Sequence, residues 1–177
     1  MSRTFALSPS LTLRIFWILL LSFQLASPTL GAEFSGPVVG VLDGDTIEVL
    51  HHQRPERIRL SGIDCPENGQ AYSKKAKQAA SALVFGKEVT LQTHGKDKYG
   101  RTLAEVLLPD GTNVNHELVK HGWCWWYRKY ALGDTVLEGL ERGARTQRLG
   151  LWATENPVSP WEWSAQRQDA TKRSLQN

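Results

Sequence analysis

The sequence predicts an α+β fold: a five-stranded Greek-key β-barrel with about three α-helices. Three observations predict it. Five short β-rich runs alternate apolar and polar residues and are punctuated by Gly, Pro and Asp turns. The apolar period changes from two to about 3.6 after the third run, and again towards the C-terminus. The chain has 177 residues, 41% hydrophobic and 22% charged, which suits one packed core and not obviously two.

The first 32 residues are a different material. Met1 to Ala32 contains no acid; it carries Arg3 and Arg14, then the apolar run Ile15 to Phe23, then small residues at Ala26, Ser27, Gly31 and Ala32. A basic start, a short apolar centre and a small-residue cleavage region are the layout of an export signal, so a secreted or periplasmic protein is expected. The run is short for a membrane span of about 20 residues. The alternative is an uncleaved anchor, which would be the chain's one membrane contact. Without Arg3 and Arg14 the formal charge of +3 falls to about +1. A strongly basic nucleic-acid coat is thereby excluded, and any polyanion must be held by a local patch.

The remainder divides into a domain at 33–154 and a Trp- and Pro-containing strap with a polar tail at 155–177. Gly36 to Leu42 is the first strand, Asp43-Gly44-Asp45 a turn, and Thr46 to Leu50 the second strand. After a polar turn with Pro55, Arg57 to Leu60 is the third. Ala71, Tyr72, Ala76, Ala79, Ala80, Leu83 and Val84 recur at helical spacing, and Gly86 ends that helix. Glu88 to Gln92 and Arg101 to Leu108 are the fourth and fifth strands. Val114 to His121 and Asp134 to Leu149 read as helices, with Asp134 as an N-cap. Beyond Thr154 the tail reads as an extended strap and then disorder. Five strands with a helix after the third fit a small barrel of the OB type.

Chemistry concentrates in three stretches. Arg59-Leu60-Ser61-Gly62-Ile63-Asp64-Cys65-Pro66-Glu67 runs from a strand end into a turn and carries three charges. Such charges beside apolar residues are costly to desolvate unless something uses them. Asp43-Gly44-Asp45-Thr46 and Asp97-Lys98-Tyr99-Gly100-Arg101 look like its partners. Asp45 and Asp64 are hard-oxygen donors suited to Ca²⁺, and no thiolate or imidazole cluster has zinc spacing. Glu67 has the chemistry to take a proton from water or orient it, and Arg59 and Arg101 to hold phosphate oxygens by bidentate bonds. Each alone is more often a turn cap, a surface charge or a salt-bridge partner; their coincidence favours the site. The five histidines read as solvated, and the Trp-rich stretch Trp123 to Tyr127 as core or cover for the barrel. A non-catalytic barrel that only binds nucleic acid is the alternative function.

These three motifs, in this order, resemble the thermonuclease family, typified by staphylococcal nuclease, over roughly Val38 to Trp152. Val114-Asn115, Leu118-Val119, Gly122 and Leu149-Gly150-Leu151-Trp152 resemble it too. The resemblance implies a Ca²⁺-dependent nuclease that hydrolyses DNA and RNA to 3′-phosphates; a monomer is expected. By it, Asp45, Asp64 and the Cys65 carbonyl are the metal ligands, and Glu67 is the general base or water-orienting group. Arg59 and Arg101 bind phosphate; Lys98, Tyr99 and Tyr130 contact substrate. The chain departs from the family in a shortened loop, Asn68-Gly69-Gln70, and in Arg128 where a second base-pocket tyrosine is expected. The resemblance also brings the Cys65 turn near the chain after Gly122, implying a Cys65–Cys124 disulfide in an oxidising compartment.

Overall fold

The computed structural model describes residues 32–175. The predicted export signal, apart from Ala32, lies outside the described residues. Strands β1 (Glu33–Val41), β2 (Thr46–His51) and β3 (Arg54–Leu60) form the expected meander. They join β5 (Glu88–Lys96) and β6 (Thr102–Leu107) in a closed barrel of order β1-β2-β3-β6-β5. All neighbours are antiparallel except β3 and β6, which run parallel with Ile58 opposite Thr102. Period-two alternation sends Val38, Ile47, Val49, Ile58, Leu60, Leu91, Ala104 and Val106 inward, each buried to within 2%. Every strand is longer than, or within a residue of, its sequence-based bounds.

Helix α1 (Ser73–Val84) covers the barrel through Ala76, Ala80 and Val84, the helical-period residues. Helix α2 (Val114–Lys120) is capped by the Asn113 side chain, and α3 (Thr135–Thr146) by Asp134, whose carboxylate accepts from the N–H groups of Val136 and Leu137. Two features lay beyond the sequence reading. A two-stranded sheet pairs β4 (Ile63–Asp64) with β7 (Trp125–Trp126), placing Asp64 opposite Trp125. A fourth helix, α4 (Pro160–Leu175), replaces the expected disordered tail.

The reason for α4 is local. Ser159 and Glu162 form a capping box: the Ser159 N–H and hydroxyl both donate to Glu162 Oε2. Pro160 sits at the first helical position, where its missing N–H costs nothing. His52, His94 and His121 are exposed as expected, but the reading of His51 needs correcting. His51 is half-buried, stacks on Phe34 with centroids 4.0 Å apart, and meets Glu56 at 3.0 Å. The tryptophans follow expectation: Trp125 and Trp126 are buried, and Trp125 meets Trp152 edge-on.

Candidate active site

The site is built where β2, β3 and the β4 turn converge. The β2–β3 register sets Thr46 opposite Arg59, which puts Asp45 at the strand entrance beside the guanidinium. The Leu60 N–H donates to the Asp45 carbonyl at 2.8 Å, tying the two turns together. Gly44 makes the approach possible. A Cβ there would lie 2.7 Å from Cys65 Cβ and 3.0 Å from Ala76 Cβ, so any side chain would push the turns apart. Buried Asn115 fixes the other side: its amide accepts from Val106 N–H and donates to the Ser61 carbonyl. Cys65 and Cys124 are joined in a disulfide that closes the same turn onto the chain after α2.

Arg59 lies at the centre, 11% exposed. Nη1 donates to the carbonyls of Leu60 and Ile63 at 2.7 and 2.8 Å, and Nη2 to Asp64 Oδ1 at 2.6 Å. Nε lies 3.2 Å from Asp45 Oδ1. Of its five N–H groups, one on Nη2 is left uncommitted among the described residues. The two-pronged phosphate grip expected from the sequence is therefore reduced, in this arrangement, to a single donor.

Charge does not balance here. Asp45 is 6% exposed, and burial pushes its carboxyl up to about 7, with Arg59 offsetting part of the rise and Asp43 and Asp64 adding to it. Burial likewise lifts Asp64 to about 6, against the pull of Arg59 and with further repulsion from Glu67 and Asp43. Burial alone would lower the Arg59 guanidinium; Asp45, Asp64, Asp43 and Glu67 more than reverse that and hold it up. Four carboxylates thus act on one guanidinium. A hard divalent cation fits this donor set: carboxylates of Asp45 and Asp64, and the Cys65 carbonyl, which accepts no hydrogen bond among the described residues. Among those residues no three His, Cys, Asp or Glu side chains converge as in a closed metal centre. Asp45, Asp64 and the Cys65 carbonyl are the groups that could hold such a cation, with solvent oxygens completing its shell.

Arg101 enters from the loop before β6. Asp97 anchors it: one carboxylate oxygen accepts from the N–H groups of Tyr99 and Arg101, the other from Arg101 Nε at 2.7 Å. Arg101 Nη1 reaches Thr46 Oγ1 at 3.4 Å, and that hydroxyl donates to Asp45 Oδ1. Nη2 stays open. Glu67, Tyr99, Gly100 and Arg101 line one shallow concavity of about 340 Å³ together with Arg57. Lys98 lies against the Tyr99 ring at 4.9 Å, on the solvent side. Tyr130, 74% exposed, is outside that concavity and packs edge-on against Tyr127.

Sequence reasoning missed three contributors. Arg57 reads in the sequence only as a strand residue, yet strand alternation puts it on the face of Arg59. Asp97 makes an Asx turn, its carboxylate accepting from the Tyr99 N–H two residues on, and an Asp shortly before a Gly is the available signal. Tyr127 carries no such signal. Burial first, and then the Asp64 carboxylate, push its hydroxyl up, and its ring packs between Tyr130 and Trp161.

Residues 57–154 match the family described as staphylococcal nuclease homologue. The chain is 45% identical over 147 residues to an uncharacterized endonuclease of Escherichia coli O157:H7, covering 83% of this chain and 95% of that protein. It is 42% identical to a micrococcal nuclease of Shigella flexneri, covering 79% and 86%. An uncharacterized endonuclease of Haemophilus influenzae is 39% identical over 84% and 83%. The barrel, the carboxylate-rich turn and these relatives agree: the chain belongs to the staphylococcal nuclease family, and it is a phosphodiester-hydrolysing nuclease.

Proposed function

We propose that the protein is an exported, calcium-dependent nuclease that cleaves both DNA and RNA to 3′-phosphate ends, acting as a monomer. The observation that carries calcium dependence is the excess of four carboxylates over one buried guanidinium. A bound calcium ion would supply electrophilic stabilisation of the scissile phosphate. Glu67, exposed at the edge of the concavity, would orient a water and take its proton as it attacks phosphorus opposite the 5′-oxygen. Arg101 would offer its open Nη2 fork to phosphate oxygens, and Arg59 its remaining N–H, as negative charge builds. Lys98, Tyr99 and Tyr130 would hold the flanking nucleotide. These groups address phosphate rather than a sugar hydroxyl, which supports cleavage of both polymers. Export is supported by the acid-free N-terminal segment, which would be the sole membrane contact if left uncleaved, and by the disulfide.

The test is degradation of denatured DNA and of RNA, with calcium and with a chelator. Cleavage of both is expected only with calcium, and Glu67→Gln should lower it about 10²–10⁴-fold, the usual range for a general base. Undiminished cleavage by Glu67→Gln, or cleavage indifferent to the chelator, would overturn the reading. Binding without cleavage under every metal would mean a barrel that only binds.

A further inference from the structure

Gln70 touches none of the reacting groups, yet it is 6% exposed and its amide is used at both ends. Oε1 accepts from the Glu67 N–H at 2.9 Å, and Nε2 donates to the Val158 carbonyl at 2.7 Å. The orientation of the amide is settled by these partners, since an N–H can only donate and a carbonyl only accept. The Gln70 N–H also donates to the Glu67 carbonyl at 2.8 Å, closing a four-residue turn whose third residue, Gly69, has φ +88° as a type II turn requires. No hydrogen bond reaches the Glu67 carboxylate among the described residues. Its placement is therefore set through the main chain, and Gln70 holds that main chain.

The far end of the bridge is itself anchored. The Ser159–Glu162 capping box fixes the chain one residue beyond Val158. Trp161 stacks on Tyr127, with centroids 5.3 Å apart and 9° between planes. Upstream, Thr154 Oγ1 and the Tyr72 hydroxyl lie 3.2 Å apart. The C-terminal segment is thus pinned on both sides of the atom that holds Gln70.

We propose that Gln70 is a positioning residue through which the segment from Thr154 to Glu162 fixes the Glu67 turn, so that turnover depends on a tail remote from the phosphate. The inference rests on the assignment of Glu67 in the nuclease reading. Small displacements of a reacting group cost rate steeply, and an arrangement held by one buried amide is open to test.

The test is a double-mutant cycle on the intact protein with denatured DNA and calcium. Gln70→Met keeps the length and removes both side-chain bonds. Alone it should lower kcat about tenfold with KM within about twofold. In a Glu67→Gln background it should change kcat less than about twofold, because the group it serves is gone. A full-activity Gln70→Met protein, or equal losses in both backgrounds, overturns the brace. Should Gln70→Met fail to fold, Ser159→Ala loosens the strap without touching Gln70 and enters the same cycle. It should cost about threefold alone and nothing with Glu67→Gln; equal losses again overturn the brace. An inactive parent protein, or an undiminished Glu67→Gln, would instead overturn the nuclease reading itself.

Discussion

Two buried carboxylate centres in this molecule are built from the same groups in opposite proportion. At Glu141, 3% exposed, one carboxylate receives the Trp126 N–H at 3.3 Å and two guanidinium groups, Arg128 at 3.2 Å and Arg145 at 3.4 Å. At Arg59, one guanidinium faces Asp45 and Asp64 directly and feels Asp43 and Glu67 as well. The first centre is over-supplied with positive charge and needs nothing further. The second is short of it. Burial is costly for both, but only the first is offset by its own partners among the described residues, and on the proposed reading a cation would offset the second.

The contrast is broken most severely at Asp45. Asp45→Asn should reduce calcium-stimulated cleavage on the order of 10³-fold, as when several kcal/mol of charge stabilisation is lost. Calcium-free stability should hold or rise, because a repelling charge is removed. A protein that unfolds instead would make the cluster structural, like that at Glu141. Thermal scans with and without calcium, beside initial rates, give the answer.

Acid sharpens the same contrast. An unfolded Asp ionises near 3.8, whereas folded Asp64 does so near 6 and Asp45 near 7. Between these values the folded form keeps a proton that the unfolded form has lost. Calcium-free stability attributable to the pair should therefore fall as pH rises from about 4 to about 7 and level off above that. For Asp64 the change is at most about 3 kcal/mol. Subtracting the stability curve of Asp64→Asn from that of the parent isolates it from groups such as Glu56, which act in the opposite direction. A flat difference would remove the frustration argument.

The smallest expected effect comes from the satisfied centre. Glu141→Gln should cost about 2 kcal/mol of stability in urea unfolding, the scale of buried charge-assisted hydrogen bonds. Turnover per folded molecule should stay within about twofold. A large loss of kcat there would blur the distinction between the two centres.

The barrel was legible because alternation is robust: Ile47, Val49, Ile58 and Leu60 announce an inward face whatever the tertiary context. The site motifs were legible because turns must carry particular residues, and the carboxylates at 45 and 64 do converge on Arg59. What escaped was pairwise or quantitative. A two-residue strand such as Ile63–Asp64 has no period to detect, and its partner lies on the far side of the chain. The near-complete commitment of Arg59 depends on main-chain carbonyls that no side-chain pattern reveals. Gln70 gave no signal, since its partners are backbone atoms at 67 and 158. Helix α4 is different: Ser159-Pro160-Trp161-Glu162 spells a helix start, and the polar composition that follows obscured it.

The parallel contact between β3 and β6 has a consequence in time. Arg59 sits on the first of these strands and Arg101 at the threshold of the second, and Ile58 meets Thr102 only across a long loop of chain. Non-local pairings of this kind form late, because chain entropy must be given up before the contact returns anything. The residues of the site are present in any nascent or collapsed chain, but the constellation is not. Catalytic competence therefore waits on a non-local pairing and does not come with the synthesis of any one motif.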